Sequence, residues 1–220
     1  MMNQLDRIFS KSTSAADYSN QYAAHLSDLL RNLDHEAVGE MVNAFLTARE
    51  NGNTIFFIGN GGSAATASHF ANDIQIGVRV QPPFKAMSLT DNTAILTALG
   101  NDEGYEKIFT KQLENFVEKG DLLVAISASG NSLNVIDCVE FAKTKGAKII
   151  GLTGFDGGKL KPLSDINIHV QTEAEEYGPV EDVHMFIDHL IGTYLYRIVR
   201  SSSHLSRSHQ PHRDLSRPYC

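Results

Sequence analysis

Residues 54–65, TIFFIGNGGSAA, and residues 122–132, LLVAISASGNS, follow the same plan. Each starts as a short apolar run, gives way to glycine and serine, and then opens a helical pattern. Three further runs repeat the first part of that plan: Phe84–Leu89, Lys148–Leu152 and Ile166–Val170. All five are short, rich in β-branched or aromatic residues, and alternate little, as strands buried on both faces do. Between them lie stretches of helical character, Ser63–Ile76, Thr93–Leu99 with Tyr105–Val117, Ser132–Lys145 and Val180–Val199. This βαβα rhythm predicts an α/β fold of three layers, α/β/α, around an open parallel sheet of five strands. Ligands of such sheets bind at the carboxyl ends of the strands, so chemistry is expected at the strand-to-helix joints.

Outside this core the pattern changes at both ends. Residues 1–50 carry apolar residues at helical spacing (Leu26, Leu29, Leu30, Leu33, then Val38, Met41, Val42, Phe45) and no strand-like alternation. They read as a helical extension whose stripe is buried on its own domain or against another subunit. Residues 51–200 form the α/β domain. Residues 201–220, SSSHLSRSHQPHRDLSRPYC, lack apolar periodicity and read as a disordered tail. The formal net charge of −7 disfavours nucleic-acid binding. Cys138 and Cys220 are the two cysteines, too few for a disulfide framework and in keeping with a reducing, cytoplasmic setting. Neither a secretory signal nor a membrane span is expected, because the N-terminal MMNQLDRIFS has no apolar h-region and no run of roughly 18 apolar residues exists.

Both glycine–serine joints suit an anion. Glycine lets backbone N–H groups approach a ligand, and the helix that follows presents free N–H groups and the positive end of its dipole. Neither joint contains Lys or Arg, so hydroxyls and amides would do the binding, which fits a phosphomonoester better than a polyphosphate with magnesium. The first joint also matches G-x-G-x-x-A through Gly59, Gly61 and Ala64, but the acidic residue a dinucleotide site wants about 20 positions later is missing; Arg79 and Gln81 stand there. No Gly-Lys-Ser/Thr occurs, which removes a P-loop.

Two clusters can handle protons or metal. His69 and Asp73, at i and i+4, share a helix face. Glu181-Asp182-Val183-His184 and Asp188-His189 crowd the start of the last helical stretch, beside an apolar stripe of Val183, Ile187, Leu190, Tyr194 and Ile198. Helix geometry leaves the choice of ligands open: His189 lies about 80° around the helix from Glu181 and about 20° from Asp182. His184 is expected at a surface or interface, with a place behind the site as the alternative.

GNGGSA followed by SASGNS resembles the sugar isomerase (SIS) domain, and Thr90-Asp91-Asn92, Gly100-Asn101-Asp102, Gly151–Gly154 and Gly157–Leu160 make the chain similar to its phosphoheptose isomerase branch. The resemblance covers roughly residues 20–200. It implies a homotetramer assembled partly through the N-terminal helices, acting on a small sugar phosphate, most simply by isomerising sedoheptulose 7-phosphate to a heptose 7-phosphate. The alternative it carries is a SIS protein that binds phosphosugars or a replication initiator without catalysis. The phosphate falls to Ser63, Ser127, Ser129 and Ser132, and the sugar to Asn60, Gly61, Gly62, Asp91, Asn92 and Glu181. Zinc falls to His69, Asp73, Glu181 and His189, with Asp73 as base and His189 as its acid/base partner. Three departures stand out. Ala128 replaces the usual Thr, Asp73 the usual Glu, and Glu181 the usual Gln, and Glu181 is expected to compensate catalytically for the shorter Asp73.

Overall fold

The computed structural model describes residues 2–205. Three helices precede the sheet: α1 (Gln4–Lys11), α2 (Ala15–Arg31) and α3 (His35–Asn51). Strand β1 (Thr54–Gly59) leads into α4 (Gly62–Asn72), which continues as one π turn over Asp73–Gly77. Strand β2 (Lys85–Ser88) is followed by α5 (Thr93–Asp102), a 3₁₀ turn at Tyr105–Lys107 and the short α6 (Thr110–Leu113). Then come β3 (Leu122–Ser127), α7 (Leu133–Thr144), β4 (Lys148–Thr153), α8 (Leu160–Leu163), β5 (Ile166–His169) and α9 (Tyr177–Leu205). The helix read over Tyr105–Val117 is broken into those two short pieces. Helix α9 runs to Leu205, into the segment read as tail; the remainder of that tail, with Cys220, lies outside the described residues.

The sheet has the order β2-β1-β3-β4-β5 and every pairing is parallel. The central strands β1, β3 and β4 are buried on both faces, while the edges β2 and β5 alternate. That contrast is why the central runs read as continuous apolar stretches. Successive residues still divide between two cores. Ile55, Phe57, Leu122, Val124 and Ile126 pack with Phe45, Phe70 and Ile187 on one face. Phe56, Ile58, Leu123 and Ala125 pack with Leu113, Val135 and Val139 on the other. Each fully buried phenylalanine in this list contributes roughly 1.5–3 kcal/mol by leaving water.

Helix α3 belongs to the first core, where Met41 and Phe45 are fully buried, so a boundary drawn at residue 50 cuts through one packed unit. The earlier helices dock near the start of α9. Arg7 pairs with Glu173 at 2.6 Å, the Leu5 N–H donates to Glu176 at 3.2 Å, and the Tyr22 hydroxyl donates to Asp182 at 2.6 Å. Among the described residues no helix is long and apolar enough to cross a membrane.

Candidate functional site

The carboxyl edge of the sheet carries the serine-rich joints. Leaving β1, the chain turns through Gly61 with φ +56°, a conformation that favours glycine, and starts α4 at Gly62. A side chain on Gly62 would collide with the carboxylate of Glu181, which rests against this helix start. Leaving β3, Ser127–Ser132 loops into α7. The Ser127 hydroxyl accepts from Gly130 N–H at 3.1 Å and lies 3.4 Å from the Ser132 hydroxyl; Ser129 Oγ accepts from Asn131 N–H at 3.3 Å. Ser132 occupies the N-cap position of α7, yet its side chain makes no capping bond, which leaves its hydroxyl available to a ligand. Asn60, Ser63, Ser127, Ser129, Ser132 and Glu181 line one small cavity of about 120 Å³ together with Ala128 and Tyr177. The cavity offers hydroxyls and helix N–H groups and has no cationic side chain on its wall, the makings of a monophosphate site. Burial, with Asp182 adding repulsion, pushes the Glu181 carboxyl above its usual range.

The remaining expected sugar contacts divide. Asn60 is held from both sides by the Asn134 amide, at 2.8 and 2.9 Å, and its Oδ1 accepts from Tyr105 at 3.0 Å. Asp91 accepts from the hydroxyls of Ser68 on α4 and of Thr90. Asn92 caps α5 by accepting from Ile95 N–H at 3.1 Å. Asp91 and Asn92 do not line the serine cavity.

Further along the same two helices a second group forms. His69 near the end of α4 and His189 on α9 bring their Nε2 atoms to 3.2 Å, rings nearly perpendicular. His69 Nε2 lies 3.7 Å from Asp73 Oδ2 and 3.8 Å from Asp188 Oδ2. Ligand atoms of His69, Asp73, Asp188 and His189 all fall within 4.8 Å of one another. Asp73 sits where α4 widens into the π turn, a distortion frequent at functional sites. Asp188 is fully buried and neither of its oxygens has a hydrogen-bond partner. Burial, and then the nearby Asp73, push its carboxyl up to about 8.

The fourth member of this group is thus Asp188, where the resemblance put Glu181. Gly62 meets Glu181 and His69 meets His189, so α4 and α9 run side by side in the same direction. Seven residues separate the first pair from the second on α4 and eight on α9, roughly 10–12 Å at about 1.5 Å per residue. Glu181 is not among the residues whose ligand atoms gather around Asp73. The carboxylate that faces Asp73 is Asp188, which escapes sequence reading because it looks like one more acid in a charged cluster. Its signal is register: Val180, His184 and Asp188 follow at i, i+4 and i+8, and all are buried.

His184 is not at the surface. It is fully buried, with Nε2 3.4 Å from the Thr153 carbonyl at the end of β4. Burial drives its pKa down to about 4, so the ring is neutral. A larger open groove of about 580 Å³, lined by Glu40, Asn43, Thr47, Asn53 and Lys148 among others, lies at the amino ends of the strands, away from both groups.

The comparisons identify the fold that carries these groups. The SIS domain pattern matches residues 17–154. The chain belongs to the SIS domain family. Within the SIS family it falls in the phosphoheptose isomerase branch. It is 37% identical over 174 residues to the phosphoheptose isomerase of Helicobacter pylori strain P12, covering 78% of this chain and 90% of that one. It is 44% identical over 143 residues to the phosphoheptose isomerase of Aliarcobacter butzleri, covering 64% and 75%. The solved phosphoheptose isomerase of Neisseria gonorrhoeae superposes with a TM-score of 0.69 at 32% identity, over 80% of this chain and 98% of that one. The SIS match begins in α2 and so crosses the boundary read at residue 50, in keeping with α3 being part of the core.

Proposed function

We propose that this protein is a phosphosugar aldose–ketose isomerase that interconverts sedoheptulose 7-phosphate and D-glycero-D-manno-heptose 7-phosphate. One observation carries the reading: a hydroxyl-lined cavity and a histidine–carboxylate group stand at opposite ends of one parallel helix pair. Their separation of roughly 10–12 Å suits a seven-carbon chain ending in a phosphoester, which spans roughly 10 Å when extended, from C–C bonds of about 1.5 Å. With the phosphate among Ser63, Ser127, Ser129 and Ser132, the carbonyl end reaches His69, Asp73 and His189. Asp91, fixed by Ser68 and Thr90 along α4, stands beside the path of the sugar hydroxyls.

Isomerisation moves one proton between neighbouring carbons through an enediol. Asp73 takes the proton from the carbon beside the carbonyl and returns it to the other. His189 exchanges the proton between the two oxygens. His184, held neutral behind the group, keeps positive charge off that face of the helix. The group also suits a divalent ion. Two imidazole nitrogens face each other at 3.2 Å, carboxylates flank them, and a buried carboxylate lacks any hydrogen-bond partner. His69, Asp73 and His189 would hold zinc, and its chemistry there is to polarise the carbonyl oxygen and steady the enediolate. The reading extends to a cytoplasmic homotetramer, supported by the acidic charge, the buried free Cys138 and the helices that flank the site.

The test is conversion of sedoheptulose 7-phosphate by the purified chain, followed by NMR with and without chelator and added zinc. Turnover is expected, lost on chelation and in His189→Ala. The shortened Asp73 favours one competitor, a phosphosugar-binding protein without catalysis. A rise in melting temperature with sugar phosphate and no turnover at any metal concentration would select that competitor.

A further inference from the structure

We propose that Asp188, not Glu181, is the fourth protein ligand of the metal in this chain, so that the ion rests between two imidazoles and two aspartates. The inference rests on the isomerase reading only in expecting an ion here; the ligand assignment comes from the geometry of α4 and α9.

Asp188 is fully buried on α9, yet neither carboxylate oxygen is hydrogen-bonded. A buried carboxylate without a partner is among the costliest arrangements a fold can hold, and such groups pair with charge or coordinate metal. The groups facing Asp188 are His69 at 3.8 Å, Asp73 and, next in the chain, His189. A second carboxylate opposite the first makes matters worse unless a cation stands between them. The spacing suits one. Two ligands on a tetrahedral ion with bonds of roughly 2.0–2.1 Å lie roughly 3.3 Å apart, and the two Nε2 atoms here are 3.2 Å apart, with the carboxylate contacts to His69 at 3.7 and 3.8 Å. Two carboxylates and two imidazoles also cancel the double charge of the ion, leaving the group as a whole neutral. Gly192, one helical turn past Asp188, lies beside Asp73, so the two aspartates face the same stretch between α4 and α9.

Glu181 has a different environment. Its carboxylate rests against the first turn of α4, where free N–H groups and the dipole favour negative charge, and it lines the serine cavity. It has a place without a metal, whereas Asp188 does not.

The experiment compares zinc binding to the metal-free, full-length protein and its variants by competition with a chromophoric chelator, alongside thermal melting. Asp188→Asn and Asp188→Leu are expected to weaken zinc affinity at least about tenfold, while Glu181→Gln changes it less than about twofold. Melting of the metal-free forms separates a ligand from a structural residue. Asp188→Leu melts at or above the wild-type temperature, because a buried polar group without a hydrogen-bond partner is gone, and its rise on adding zinc is smaller than in wild type. Wild-type affinity in both Asp188 variants, a large loss in Glu181→Gln, or no zinc binding by the wild-type protein overturns the assignment. Failure of the isomerase reading looks different: zinc is bound through Asp188 and sedoheptulose 7-phosphate is not converted. Conversion with an affinity indifferent to Asp188 spares the isomerase reading and sinks the ligand.

Discussion

The two ends of the α4–α9 pair are built from different materials. At the start, around Gly62 and Glu181, the ligand-facing groups are serine hydroxyls and backbone N–H groups, set at the carboxyl edge of the sheet. Two turns on, they are imidazoles and carboxylates packed within 4.8 Å of one another. Helix starts have unsatisfied donors and need only small residues to expose them. Beyond the first turn the N–H groups are bonded within the helix, so side chains must supply all the chemistry there. One pair of helices can thus grip an anion at one end and move protons at the other. If the division is real, substitutions at the two ends should change different kinetic constants.

The largest effect is expected at the far end. Asp73→Asn or His189→Ala should lower kcat by roughly 10²–10⁴-fold, the usual range for a lost acid or base. A rise in KM with kcat intact would erase the contrast between the ends. Next comes the buried middle of α9. His184 is neutral in the folded state, with a pKa of about 4 against 6.5 when free. Between those values the unfolded chain binds more protons, so stability falls as pH drops from about 6.5 toward 4, by about 3 kcal/mol for this residue. Asp188, pushed up to about 8 by burial, and the raised Glu181 act in the opposite direction over the same range, so the test compares urea unfolding of metal-free wild type with that of His184→Leu. Those two carboxyls act alike in both proteins, and the two slopes of stability against pH should differ by the His184 contribution. An unchanged slope would mean that the middle of the helix is wet and the two ends are less firmly joined than the packing shows.

At the near end, Ser127→Ala or Ser132→Ala should raise KM for the sugar phosphate roughly tenfold while kcat moves little, since a hydrogen bond to a charged group is worth about 1.5–3 kcal/mol. The smallest shift is expected from Glu181→Gln. Removing a negative charge beside the phosphate should lower KM about two- to fivefold, the repulsion being screened at a half-exposed site. A fall in kcat as large as that of Asp73→Asn would move Glu181 to the other end of the comparison.

The architecture was legible because burial on both faces leaves a plain trace: TIFFI, LLVAI and KIIGL, read with the other two runs as strands buried on both faces, fill the centre of the sheet, and the two edge runs alternate instead. The serine cavity was legible for a similar reason, as its members sit next to one another in two loops. The far group was only half legible. His69 and Asp73 announce themselves by i, i+4 spacing, but the partner across the interface depends on how α9 is rotated about its axis. Periodicity leaves that rotation uncertain by about one residue, or about 100°. Glu181 and Asp188 both carry carboxylates on the same helix, and only the packing of α9 against α4 tells which one faces Asp73. Asn92 has a second role that the sequence also allows: an asparagine before a helix is a good cap, and here it caps α5.

The parallel run of α4 and α9 makes the pair a caliper. Each helical residue advances about 1.5 Å, close to the roughly 1.3 Å that each carbon adds to an extended sugar. Discrimination by chain length would then reside in the number of residues between the jaws and not in any one side chain. Trimming or enlarging side chains would blunt the instrument without resetting it. Resetting it would take a full turn in both helices, because a single added residue also swings everything beyond it by about 100°.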